Sequence, residues 1–176
     1  MPSNLQTDLE RLNLLSTREA ENELLKCCGS QRWAKRMVDA RPFASVDELM
    51  AKADRIWWEL EPQDWLEAFH SHPKIGEKKA AAATSTEAQK WSEAEQSGTR
   101  GSSPETMQAL ADLNRKYEKK FGYIFIVCAT GKSTEEMLEI LRERMNNVPE
   151  DEMRIAAAEQ AKITHLRLNK LIDRVS

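Results

Sequence analysis

The side chains best suited to chemistry are an imidazole at His72, a carboxylate at Glu95 and a guanidinium at Arg167, each carried by a different stretch of the chain. His72 opens the run His72-Pro73-Lys74-Ile75-Gly76, directly after an apolar, helically spaced segment that holds Trp65, Leu66, Ala68 and Phe69. Proline disfavours helical dihedrals at the residue before it, so His72 is expected in a turn at the end of a helix. Gly76 then allows a sharp change of direction. Imidazole titrates near neutrality without help, the property a proton donor needs. A solvated histidine at a helix end would carry the same signature.

Ser92, Glu95 and Gln96 form a second constellation. On a helix, Glu95 falls about 60° to one side of Ser92 and Gln96 about 40° to the other. A hydroxyl, a carboxylate and a carboxamide on one arc could read the amide and NH edges of a polar heterocycle; the plainer reading is a solvated face. In the last helical segment Ala156, Gln160, Ile163, Arg167 and Leu171 follow at steps of three or four and share a stripe. A guanidinium there can grip a carboxylate through two parallel hydrogen bonds, or serve a structural ion pair. Arg154 is the rival on this helix, but its place near the helix start suits solvent.

Other chemistries are weaker. His70, His72 and His165 with Cys27, Cys28 and Cys128 show no zinc-site spacing, so no metal is expected. Cys128 lies in an apolar run, where a thiol is usually inert. Cys27 and Cys28 read as small hydrophobes at a helix end, and Trp33, Trp57, Trp58, Trp65 and Trp91 as core and groove walls. Metal-assisted hydrolysis of a cyclic amide and a non-catalytic binding module are the competing functions.

The elements that must position these groups are almost all helices. Ser16 with Glu19 and Ser45 with Glu48 are capping boxes. The first box opens a helix that Gly29 stops; the second opens one reaching to about residue 60. Between them, Trp33, Ala34, Met37 and Val38 predict a helix over 31–40 that Arg41-Pro42 ends. Pro62 starts the short helix leading to His72. The Ala-rich 78–83 can be helical, and Thr84 with Glu87 predicts a helix to about residue 97. Residues 98–103 read as a loop. Pro104 fits the first turn of a long helix to Phe121. Ser133 with Glu136 predicts a helix to about residue 146, and Pro149 one over 149–175. One segment breaks the pattern: the run 123–129, between Gly122 and Gly131, is apolar throughout and rich in β-branched and aromatic residues. It has no second strand to pair with, so its peptide groups must find partners elsewhere. The chain reads as all-α: a single-domain helical bundle over 1–176 with one short extended apolar segment near 123–129.

Bulk composition agrees. The 176 residues are 40% hydrophobic and 31% charged, with a net charge of -3. That balance points to no nucleic acid or membrane partner. No apolar run is long enough to span a bilayer. The first ten residues lack the basic and apolar regions of a secretory signal, and the chain does not end in Ser-Lys-Leu. An odd cysteine count with two adjacent suggests no disulfide framework, and a reducing cytoplasmic compartment is expected.

An ordered set of motifs then becomes informative. Arg41-Pro42-Phe43 is followed by Ala68-Phe69 with His72-Pro73-Lys74-Ile75-Gly76, and by Ser92 with Glu95-Gln96. Next come Leu113-Asn114 with Tyr117, Phe121-Gly122-Tyr123, and Phe125-Ile126-Val127-Cys128-Ala129. Glu159-Gln160-Ala161-Lys162-Ile163 with Leu166-Arg167-Leu168 closes the set. Over nearly its whole length the chain resembles the 2-oxo-4-hydroxy-4-carboxy-5-ureidoimidazoline (OHCU) decarboxylases, with Ile75 where that family more often has Leu. The resemblance implies a cofactor-independent enzyme of urate degradation, a homodimer that releases CO2 from OHCU to give S-allantoin. It implies His72, Glu95 and Arg167 as catalytic residues. It also implies Pro73, Ser92, Gln96 and the strip Phe125, Ile126, Val127, Cys128 and Ala129 as the substrate's lining.

Overall fold

A computed structural model describes residues 4–74, 86–99 and 101–173. Among them are nine α-helices and one 3-10 turn, with no β-ladder. Ile75, Gly76, the Ala-rich 78–83, Thr84, Arg100 and Val175 lie outside the described residues. The chain divides into two units, 1–68 with 161–176, and 69–160. No helix among the described residues is long and apolar enough to cross a membrane.

The first unit takes α1 (Asn4–Leu14), α2 (Thr17–Cys27), α3 (Gln31–Asp39), α4 (Val46–Glu59), most of α5 (Pro62–His70) and the end of α9 (Pro149–Ile172). Local signals set its helix starts. Ser16 accepts from the Glu19 amide while Glu19 reaches back to the Ser16 amide, so the capping box is complete. Ser45 caps α4 in the same way, but Glu48 accepts from the Ala44 amide rather than from Ser45. The stop of α2 is Cys28 in an extended conformation; Gly29 is not left-handed and does not cap it. Leu24, Trp33, Met37, Phe43, Leu49 and Trp57 fill the core. Trp33 and Trp65 turn their indole N–H groups to the carbonyls of Ala53 (3.1 Å) and Trp57 (2.9 Å), which lets large rings be buried without an orphan donor. Trp58 is the exposed exception.

Cys27 and Cys28 are buried as small hydrophobes. Burial, opposed by the Ser30 amide and Thr164, pushes the Cys28 thiol up from an ordinary 9.0 to about 12.

The second unit holds the end of α5, α6 (Thr86–Glu95), a 3-10 turn (Ser97–Thr99), α7 (Pro104–Phe121), α8 (Thr134–Arg144) and the first part of α9. Three boundaries differ from the sequence reading. The helix carrying Glu95 ends there, and the 3-10 turn takes up Gly98 and Thr99 of the expected loop. The helix α8 ends at Arg144, past which the chain leaves the helix through turn bonds, and that side chain is drawn inward. The last helix ends at Ile172.

Between α7 and α8 the run 123–129 is non-helical, and every residue of it is buried. The Ala129 carbonyl accepts from the Lys132 backbone N–H (3.0 Å), and other peptide groups of the run are met by side chains. Arg144 donates from Nη1 to the Ile126 carbonyl (2.6 Å), and Lys132 Nζ donates to the Cys128 carbonyl (2.7 Å). Arg144 is in turn held by Glu152, which is fully buried at the start of α9. Glu152 also accepts from the Tyr117 hydroxyl and from Asn147 (3.0 Å). Tyr117 and Phe121 of α7 form an aromatic cluster with Tyr123 and Phe125 of the strip, and the Arg144 guanidinium lies 4.7 Å from the Phe125 ring centre.

Two outcomes follow. Glu152→Gln or Arg144→Met leaves one buried charge uncompensated, so each should lower stability by about 3–5 kcal/mol in urea unfolding. A loss under about 1 kcal/mol would put the pair among weak surface bridges. The Cys28 shift has a definite sign. Above the ordinary thiol value the unfolded chain gives up its proton while the native chain keeps it. This stabilising contribution is therefore present below about pH 9 and lost as pH rises towards 12. Thermal melts in that window should fall more steeply for the native sequence than for Cys28→Ala.

Candidate active site

His72 sits two residues beyond the end of α5, and its backbone N–H closes the turn by donating to the Phe69 carbonyl (3.2 Å). The halt before Pro73 is the one expected from proline's clash with the preceding residue. Two contacts seat this turn. The Phe69 ring lies 5.3 Å from that of Tyr123, and Lys74 pairs with Glu118 of α7 at 3.0 Å. The ion pair is part-exposed and contributes about 0.2–1 kcal/mol at most, so the aromatic contact is the stronger anchor. His72 and Pro73 are both buried, which removes the reading of a solvated histidine at a helix end. The imidazole Nε2 lies 2.6 Å from Oε1 of Gln160, a fully buried residue of α9.

Ser92 and Glu95 are buried near the end of α6, so this arc is not a solvated face. Gln96 is one residue past the helix, yet its amide still bonds the Ser92 carbonyl (3.1 Å), which keeps the arc continuous. The segment after it is docked against Lys132 and Ser133, just past the strip. A Cβ on Gly98 would stand 1.9 Å from the Lys132 carbonyl oxygen, so only glycine allows this approach. The Ser102 and Thr134 hydroxyls meet at 2.5 Å a few residues on.

The strip is held at this end by α9. Glu159 accepts from the Cys128 amide at 3.1 Å. Burial pushes the Cys128 thiol up, and the charges of Glu159 and Glu95 add to that against Lys132 and the Thr130 amide. The thiol is therefore neutral and a poor nucleophile. Glu95 is thus close enough to the strip for its charge to be felt at Cys128. A run of contacts leads from His72 to Gln160, one residue along α9 to Glu159, and across to Cys128.

Arg167 belongs to the first unit. It is buried, and its Nη1 donates to the Lys26 carbonyl (3.1 Å) in the last turn of α2, where helical carbonyls lack partners. Arg154, its rival, is exposed. His165 pairs with Asp54 at 2.7 Å in the first unit, and His70 is exposed at the end of α5. Among the described residues no three His, Cys, Asp or Glu side chains cluster as a metal site would require.

Gln160, Glu159, Arg144, Glu152 and Lys132 were not expected at the site. Gln160 did leave a trace, as a carboxamide in a stripe of α9 that is apolar but for it and Arg167. Glu152 and Arg144 left none, since an acid in a first turn and a base in a last turn match ordinary helix-dipole placement.

The described residues define an all-helical protein in which an imidazole is buried on a carboxamide and a carboxylate of the same helix fastens a strip of unladdered peptide. Residues 13–169 match the OHCU decarboxylase family, and the chain belongs to it. It is 41% identical over 154 residues to the uric acid degradation bifunctional protein TTL of Arabidopsis thaliana, covering 87% of this chain and 47% of that one. The chain thus spans about half the length of that bifunctional relative. It is 29% identical to the 2-oxo-4-hydroxy-4-carboxy-5-ureidoimidazoline decarboxylase of Haloferax volcanii, covering 77% of each. The fold matches a crystal structure of OHCU decarboxylase in the presence of (S)-allantoin, with a TM-score of 0.75 and 41% identity, over 86% of this chain and 98% of that one.

The Gly98 approach yields a test. Gly98→Ala forces the Lys132 peptide away and should destabilise the protein by about 1–3 kcal/mol in thermal unfolding. An unchanged melting temperature would mean that the segment following Glu95 is not tied to the Lys132 peptide.

Proposed function

We propose that this chain, acting as a single domain over 1–176, decarboxylates OHCU to S-allantoin, with no metal or organic cofactor. Loss of CO2 breaks the bond to the carboxyl carbon and leaves its electron pair on the ring carbon. The neighbouring imidazoline C=N can take that pair up, so no external electron sink is needed. A proton delivered to one face of the ring then sets the stereocentre of the product.

In this reading His72 delivers or relays that proton. Glu95 accepts hydrogen bonds from ring or ureido NH groups and biases the charge state of His72. Arg167 anchors an anionic or carbonyl group of the substrate. Pro73, Ser92 and Gln96 line the ring, and the backbone of Phe125 through Ala129 supplies fixed dipoles where charge develops. Burial is the observation that carries the reading. His72, Glu95 and Arg167 are 7%, 8% and 3% exposed, an unusual expense for ionisable groups and one that clusters at functional sites. The exposure of Arg154 favours Arg167 as the anchoring arginine. The neutral Cys128 thiol argues against covalent catalysis at the strip.

The same reading takes the enzyme to be a cytoplasmic homodimer. Val148 and Ile155, exposed apolar residues at the start of α9, are the surface to examine first. Sedimentation at micromolar concentration would distinguish dimer from monomer.

Freshly generated OHCU, followed by circular dichroism as optical activity appears, tests the chemistry. His72→Asn and Glu95→Gln should fold normally and lose about 10²–10⁴-fold in rate, the usual worth of a positioned acid or base. Arg167→Gln should lower kcat/KM by about a hundredfold, the scale of a truncated buried charge contact. A native rate in any of the three removes that residue from the mechanism, and an inactive native protein ends the proposal.

A further inference from the structure

Resting on the reading of His72 as the acid, we propose that Gln160 is a positioning residue for it: its side-chain carbonyl fixes the orientation of the imidazole and keeps a proton on Nε2. The two groups meet at 2.6 Å, across a sequence separation of 88 residues. A carboxamide oxygen has lone pairs and no proton, so it can only accept, and the ring nitrogen facing it must be the donor. Held at one nitrogen, the ring cannot flip between its two orientations. The Nε2 proton stays with the imidazole because the carbonyl cannot take it up. Any proton that His72 passes to substrate is then the second one of the doubly protonated ring, carried on Nδ1, and its loss leaves the neutral ring with its proton on Nε2. Stereospecific protonation needs that constancy, since a ring free to rotate would present its acidic N–H in more than one direction.

The type of residue matters as well as its reach. An aspartate or glutamate is the commoner partner for a catalytic imidazole and would stabilise its cationic form. A neutral carboxamide orients the ring without that bias, leaving the charge state to other groups. The support is rigid. Gln160 is fully buried in the stripe with Ala156 and Ile163, and its neighbour Glu159 fastens the same turn of α9 to the Cys128 amide. The imidazole and the substrate-lining strip are therefore referenced to two consecutive residues of one helix.

The experiment combines nitrogen NMR of the three imidazoles with steady-state kinetics. The His72 signals are identified by their loss in His72→Asn. In the native protein near neutral pH, His72 should show an Nε2-bound proton protected from solvent exchange. Gln160→Met should lose that protection and lower kcat by about ten- to a hundredfold with little change in KM, as expected when a catalytic group is misoriented rather than substrate binding lost. Gln160→Glu, which keeps an acceptor at the same reach, should restore the protected resonance. A merely structural role would move stability and leave the imidazole resonance untouched. The proposal is overturned by a native His72 whose Nε2 carries no proton, by protection that persists in Gln160→Met, or by a folded Gln160→Met with native kcat. If Gln160→Met does not fold, the native resonance still decides the matter. The two ideas fail separately: an active His72→Asn ends the reading of His72 as the acid, whereas a crippled His72→Asn beside a normal Gln160→Met ends only the role given to Gln160.

Discussion

The second unit depends on one buried ion pair. Arg144 and Glu152 face each other where water cannot reach, and a buried pair of this kind gains little net stability over an apolar substitute. Its value lies in what else it holds. Among the described residues no strand neighbours the strip between α7 and α8, yet every residue of it is buried, so its peptide groups need partners from side chains and from the turn that follows. Arg144 supplies one to Ile126 and is kept in place by Glu152. Glu152 in turn takes the Tyr117 hydroxyl, which ties the aromatic cluster of the strip to the same carboxylate. An apolar pair of equal volume would pack, but it could not satisfy a peptide group.

The helix α9 gathers these constraints along its length. Glu152 acts through Arg144 on the middle of the strip, and two turns later Glu159 takes the amide of Cys128. The next residue, Gln160, meets the imidazole. Seven residues are close to two full turns, so positions 152 and 159 lie on nearly one face, and position 160 is rotated about 100° from 159. One rigid rod can therefore set the strip and the imidazole in mutual register. A helix serves this purpose better than a loop because its internal hydrogen bonds hold side-chain origins at constant spacing.

Much of the local structure was legible from sequence. Helix starts at Ser16, Ser45 and Ser133 follow from a side chain bonding an amide three residues on, an interaction that spans less than one turn. The end of α8 was placed about two residues too far: past Arg144 the chain leaves the helix through turn bonds such as that from the Asn146 amide to the Glu143 carbonyl (3.2 Å), while Arg144 itself is drawn to Ile126 and Glu152. The apolar run 123–129 was recognisable as neither helix nor laddered strand from its composition and its flanking glycines. What would satisfy its peptide groups was not, since Arg144, Lys132 and Glu159 are ordinary helix or loop residues in one dimension. Likewise Ser92 and Glu95 read most simply as a solvated arc, and only packing shows them buried.

The sequence by itself determined the all-helical character, the residue types able to do acid–base chemistry, and through ordered motifs the family. These properties live in short spacings, which obey helix periodicity and capping and need no knowledge of the rest of the chain. Tertiary structure alone decided that His72 rests on Gln160, that Glu159 holds Cys128, and that Arg144 and Glu152 are buried together. Each of those pairings joins positions whose proximity comes from packing of whole elements, and a one-dimensional pattern carries the phase of a side chain around its own helix but not the identity of what it will meet.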